Sequence, residues 1–152
     1  MHPFHHAANQ PDMPAIIMAG SGDTLTYAQL EAESNRIAHL LRGLGLVRGD
    51  TIAILMHNEI DFLPICWAAQ RAGLVYVAMS TKLTADEAGY IAQDSGAKAI
   101  FCSPALAEVA VAARAWAQRN PEAFMRDPLT IDEVLKARMV SDPLSVRDCC
   151  LV

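Results

Sequence analysis

Three groups of residues in this 152-residue chain have types and spacings that chemistry can use. Glycine runs come first, because the backbone N–H groups of a glycine loop can cradle phosphate. The stretch A-G-S-G-D, with Gly20, Ser21 and Gly22, lies between two short β-like segments and is not followed by lysine. That setting predicts a hairpin turn. Gly43, Gly45 and Gly49 in G-L-G-L-V-R-G-D have the look of a dinucleotide fingerprint, but they follow a helical pattern and precede a strand pattern. Pyrophosphate binding needs the opposite order, in which a strand leads through the loop into a helix N-terminus. These glycines are expected to stop a helix and turn the chain.

His2, His5 and His6 form the second group, since imidazoles ligate divalent transition metals. On a solvated, mobile tail nothing would fix their geometry, so no metal site is expected there. His39 falls beside an apolar stripe and His57 just before Asn58, and neither has a defensible triad partner nearby in sequence. Cys66, Cys102, Cys149 and Cys150 make up the third group. They lack CxxC spacing and three lie in apolar surroundings, which predicts reduced, packed thiols rather than a disulfide framework or zinc site. Asp86, Glu87 and Asp94 read as helix-end and solvated carboxylates, and Trp67 and Trp116 as packing residues. The residue types themselves therefore nominate no catalytic, cofactor-binding or metal-binding residue.

The elements that would position such groups are clearer. The segments A-I-I-M and T-L-T flank the glycine turn as a short strand pair. Thr26 with Gln29 makes a capping box, and Leu30, Ile37, Leu40, Leu41 and Leu44 follow at helical spacing over residues 27–44, with Gly45 placed to end the helix. Strands are expected near residues 52–56, 74–78 and 98–101. Helices are expected at 60–72, capped by Asn58, and at 85–95, capped by the Thr84 and Glu87 box. Pro64 requires the former to begin late, near Phe62. The strands are apolar on both faces and alternate with helices, which is the pattern of a parallel sheet covered on both sides. From Ser103 the texture changes: a helix over 104–119 has Ser103 as cap and Pro104 at its first position. Residues 120–128 read as a linker, and a third capping box falls at Thr130 and Glu133. The expected class is α/β, a partial, mostly parallel sheet covered by helices, with a helical and irregular C-terminal extension.

Bulk properties bound the partners. Twelve Lys and Arg against seventeen Asp and Glu give a net charge of -5, which argues against a nucleic-acid partner. Hydrophobic residues make up 53%, yet no apolar run approaches the roughly 20 residues of a membrane span. The surplus must be buried in a core or at an exposed sheet edge covered by a complementary chain or by self-association. The first residues carry no secretory signal pattern, so a cytoplasmic location is expected.

T-L-T-Y, S-N-R, G-L-V-R-G-D, H-N, R-A-G, L-T-A-D-E and D-S-G-A-K occur in that order over residues 13–106. In this the chain resembles the amino-terminal portion of the AMP-forming acyl-CoA synthetases, of the adenylate-forming ligase superfamily. Met79 and Ser80 depart from the family, which usually has asparagine or proline in that turn. The resemblance implies a fatty-acid ligase that uses ATP, magnesium and CoA. The family's Ser/Thr/Gly-rich phosphate loop ending in Pro-Lys-Gly, its aromatic-Thr-Glu magnesium motif and its catalytic lysine domain have no match in these residues. No cofactor is therefore expected to bind this chain, and no activity is expected of it alone.

Residues 107–152, with R-N-P-E-A, P-L-T-I and P-L-S-V-R-D-C-C, are similar to an internal piece of a thiolase of the acetyl-CoA acetyltransferase or lipid-transfer type. The expected organisation is a flexible tail at 1–13, a partial ligase-type domain at 14–106 and a thiolase-like fragment at 107–152. A chimera of this kind predicts loose attachment of residues 120–152, with a local helix near 131–139 at most. The alternatives are a non-catalytic fragment acting through a complementary chain, or a remnant of thiolase-related acyl-CoA metabolism.

Overall fold

The computed structural model describes residues 2–118 and 129–130. Along the chain run α1 (Pro3–Asn9), β1 (Pro14–Ile17), β2 (Thr24–Thr26), α2 (Tyr27–Gly43), β3 (Thr51–Leu55) and α3 (Phe62–Arg71). They are followed by β4 (Val75–Ala78), α4 (Ala85–Asp94), β5 (Ala97–Cys102), a 3-10 turn at Pro104–Leu106, α5 (Ala107–Ala117) and β6 (Leu129–Thr130).

The local signals act as their chemistry requires. Thr26 and Gln29 satisfy each other's backbone N–H groups at 3.3 and 2.8 Å, and Thr84 and Glu87 do the same at 3.4 and 2.8 Å. Two otherwise unpaired donors are thereby satisfied at the start of α2 and again at the start of α4. Gly45, at φ +80°, follows the last turn of α2; its N–H reaches the Arg42 carbonyl while the Leu46 N–H reaches that of Leu41. Gly73, at φ +70°, closes α3 with the same pair of bonds, to Gln70 and from Leu74 to Ala69. This six-to-one closure needs a left-handed residue, which glycine supplies without a Cβ clash. Pro64 stands third in α3, where its missing N–H would have had no helical acceptor.

β4, β3, β5 and β6 form one parallel sheet in that order, and β1 and β2 a separate antiparallel pair. β3 is buried on both sides. Ile52 and Ile54 join Phe101 of β5 in a core with Ile37 and Leu41 of α2 and Ile65 and Ala69 of α3. Ala53 and Leu55 join Ile100 and Cys102 in the opposite core, closed by Ala88 and Ala92 of α4 and Ala110, Ala113 and Ala117 of α5. Side chains alternate across a strand, so an unbroken apolar run serves two helical layers.

Four expectations change. The expected tail is instead the helix α1, which begins at Pro3, a buried residue. α3 begins at Phe62, as Pro64 requires, so Asn58 is not its cap, and Asp61 at the cap position makes no side-chain cap bond. Ser103 makes no side-chain cap bond either, and residues 104–106 form a 3-10 turn before α5. Thr130, read as a helix cap, lies in β6, which pairs in parallel with β5 through Phe101 opposite Leu129 and Cys102 opposite Thr130. Strand and helix therefore continue to alternate beyond Ser103. The linker at 120–128, Glu133, the helix near 131–139 and Cys149 and Cys150 lie outside the described residues.

Candidate functional site

Polar groups gather where the parallel strands end. The chain passes from β3 to β4 through α3, then to β5 on the other side of β3 through α4. Strand order thus reverses at β3, and in open parallel sheets of this kind the carboxyl edge at such a reversal is where ligands meet the fold. Here that edge is made by Met56, His57 and Asn58 after β3, Met79 and Ser80 after β4, and Ser103 after β5.

Backbone bonds hold the three ends together: Met79 N–H donates to the Ile54 carbonyl at 2.9 Å and Ser103 N–H to that of Leu55 at 3.2 Å. The buried Ser103 hydroxyl accepts the His57 backbone N–H at 2.9 Å. It is therefore a brace between two strand ends and forms no serine–imidazole catalytic pair through this bond. His57, Asn58 and Ser80 are exposed at the edge and offer an imidazole, an amide and a hydroxyl for hydrogen bonding.

A second polar cluster lies between α1, α2 and α3. Arg71 of α3 pairs with Glu31 of α2, both buried, and the guanidinium also reaches the Ser34 hydroxyl at 3.4 Å. Arg71 Nε, Glu31 Oε1 and Asn35 Oδ1 are buried without a hydrogen-bond partner. On the rim of this cluster the His2 ring meets Trp67 edge-on, 5.2 Å between centroids, and the His6 ring stacks on Tyr27 at 4.8 Å.

The remaining sequence candidates have structural roles. Gly22 turns the β1–β2 hairpin, where its N–H donates to the Met18 carbonyl at 2.8 Å and Met18 N–H donates to that of Asp23 at 2.8 Å. Cys66 and Cys102 are buried free thiols, and burial pushes the Cys66 thiol up to about 11. It is not the activated thiolate that nucleophilic catalysis uses. Asp86 and Glu87 lie in the first turn of α4, where the Thr84 N–H and hydroxyl hold the Glu87 carboxyl below its usual range. Asp50 is likewise held low by the Lys98 ammonium at 2.7 Å and the Val47 N–H at 2.9 Å. Trp67 packs against His2, and Trp116 lies edge-on to Tyr90 at 6.4 Å. Among the described residues, no group of three or more His, Cys, Asp and Glu could hold a metal ion. The sequence had not linked Ser103 to His57 or Arg71 to Glu31, pairs 46 and 40 residues apart.

A parallel sheet reversing at β3 with helices on both faces matches the N-terminal domain of adenylate-forming ligases. The N-terminal domain of FACL13 from Mycobacterium tuberculosis, solved with an inhibitor bound, superposes with a TM-score of 0.83 at 31% identity, over 95% of this chain and 36% of that one. A family model described as AMP-binding enzyme matches residues 3–147, and the chain belongs to that family. It is 33% identical over 140 residues to the long-chain-fatty-acid–CoA ligase FadD13 of M. tuberculosis, covering 90% of this chain and 27% of the relative. It is 42% identical over 96 residues to the fatty acid:acyl-carrier-protein ligase ScoC of Streptomyces coeruleorubidus, covering 63% of this chain and 18% of the relative. The chain thus spans about a quarter or less of the length of these curated relatives.

The same match corrects the reading of the C-terminal part. The family model runs through residues 107–147, so the segment likened to a thiolase falls within the ligase match. The comparisons carry no support for a thiolase fragment or a chimera. In this chain Leu129–Thr130 extends the ligase-type sheet.

Proposed function

We propose that this chain is the N-terminal part of an AMP-forming fatty-acid ligase, supplying a rigid α/β layer for the adenylating site and no adenylation chemistry of its own. The family match over residues 3–147 carries this reading, together with the fatty-acid ligases among the relatives. Adenylation depends on donors and cations fixed around the phosphates, and the 152 residues contain no Pro-Lys-Gly phosphate loop. The carboxyl-edge groups His57, Asn58 and Ser80 can contact a neighbouring segment or an acyl substrate, but they do not form a phosphate cradle. ATP, magnesium and CoA would be bound by the rest of such a ligase. The buried free thiols fit a reducing, cytoplasmic setting.

ATP–pyrophosphate exchange with a fatty acid tests this directly. The purified 152-residue chain should give background exchange, and adding the remaining segment of a related ligase should restore it. Exchange by the chain alone, abolished by a substitution within it, would overturn the proposal. A second reading rests on β4: among the described strands it pairs only with β3, and Val75 at its start is 53% exposed. An edge of this kind can accept a complementary chain by strand addition. Cross-linking from a substituted Val75 would identify such a partner.

A further inference from the structure

The first helix is fastened by a titratable residue used in two ways at once. The His2 ring is the N-cap of α1, with Nδ1 accepting the Phe4 backbone N–H at 3.2 Å. The same ring meets Trp67 of α3 edge-on at 5.2 Å and 72°. Both contacts are made beside the Arg71–Glu31 pair, whose charges act on the imidazole. The Nδ1 acceptor exists only in the neutral ring, because an imidazolium carries a proton on each nitrogen.

We propose that α1 is a pH-released latch, closed while His2 is neutral and opened by its protonation, which removes the helix cap and sets a cation beside the Arg71 guanidinium. The charged and titratable groups acting on His2 come from every element around it: Glu31 from α2, Arg71 from α3, and His5 and the terminal ammonium from its own segment. Glu31 alone favours the imidazolium, and its carboxylate is already engaged by Arg71. Burial first, then Arg71, hold the His2 pKa below 6.5.

The sign follows from that direction. Above 6.5 the ring is neutral whether α1 is docked or free, so the latch has its full strength. As pH falls below 6.5 the free segment takes up a proton that the docked one resists, and docking weakens until the lowered pKa is passed. Opening uncovers Trp67, Tyr27 and the Arg71–Glu31 pair.

Two measurements on the full 152-residue chain test the latch. In an NMR titration from about pH 7.5 to about pH 5, the His2 imidazole should titrate below 6.5. The amides of residues 4–9 should lose hydrogen-exchange protection at the same midpoint, several-fold relative to α2. A His2 midpoint at or above 6.5, or α1 amides that do not follow it, would overturn the proposal. His2→Asn retains a capping oxygen that does not titrate. Its ratio of α1 to α2 protection should be independent of pH over this range, and retention of the wild-type pH dependence would also overturn the latch.

Discussion

Arg71 shows how much a single buried residue can depend on one partner. Its guanidinium is paired with Glu31 and touches Ser34, while Nε and the second Glu31 oxygen have no partner. Removing one member leaves an uncompensated buried charge, so Arg71→Ala or Glu31→Ala should each cost about 3–5 kcal/mol in urea unfolding. Replacing both by apolar side chains, Glu31→Leu with Arg71→Met, should recover most of that loss, because it also removes the unsatisfied atoms. A double variant no more stable than the single ones would show that the pair contributes more than its desolvation costs. Neither residue stands out in the sequence: an acid in one amphipathic helix and a base at the end of another are ordinary solvated residues until α2 and α3 pack.

At the scale of elements, the close approach of α4 and α5 depends on Gly89. A Cβ there would lie 2.7 Å from the Ala113 carbonyl oxygen and 2.9 Å from Trp116 Cβ. The carbonyl is fixed in helix α5 and cannot move aside as a flexible side chain can. Alanine favours a helix over glycine by about 1 kcal/mol, whereas overpacking costs about 1–3 kcal/mol. Gly89→Ala should therefore destabilise despite the better propensity, with a lower thermal midpoint and a shifted near-ultraviolet signal from Trp116. An increase in stability would mean that the two helices separate without cost. The capping boxes at Thr26 and Thr84 were legible because their bonds close within three residues. The start of α3 at Phe62 was legible in the same way, because Pro64 fixes where the first turn can lie, whereas the Asn58 cap was not formed.

Across the whole molecule, β3 is the strand on which the layers depend, flanked by β4 and β5 and buried on both faces. Its end is tied to that of β5 by the His57 N–H and the Ser103 hydroxyl. Ser103→Ala removes the acceptor and leaves a partly buried donor unsatisfied, at a cost of about 1–3 kcal/mol. The His57 amide should exchange faster in this variant, while those of residues 52–54 remain among the slowest in the chain. An unchanged His57 amide would show that the brace is not formed.

What the sequence determined by itself was everything encoded within about one helical turn or one strand. The two capping boxes, the left-handed glycines and the apolar runs of β3 and β5 specify their elements locally, and strands apolar on both faces imply a parallel sheet between helical layers. Tertiary structure alone decided that the His2 ring at the start of α1 meets Trp67 of α3, that Ser103 braces His57 instead of capping a helix, and that Arg71 finds Glu31. It also decided that Leu129–Thr130 joins the sheet beside β5. The physical reason is range: each of those groups meets its partner only after intervening elements have folded and brought distant positions to one edge or one face, and no spacing in the chain marks such a meeting in advance.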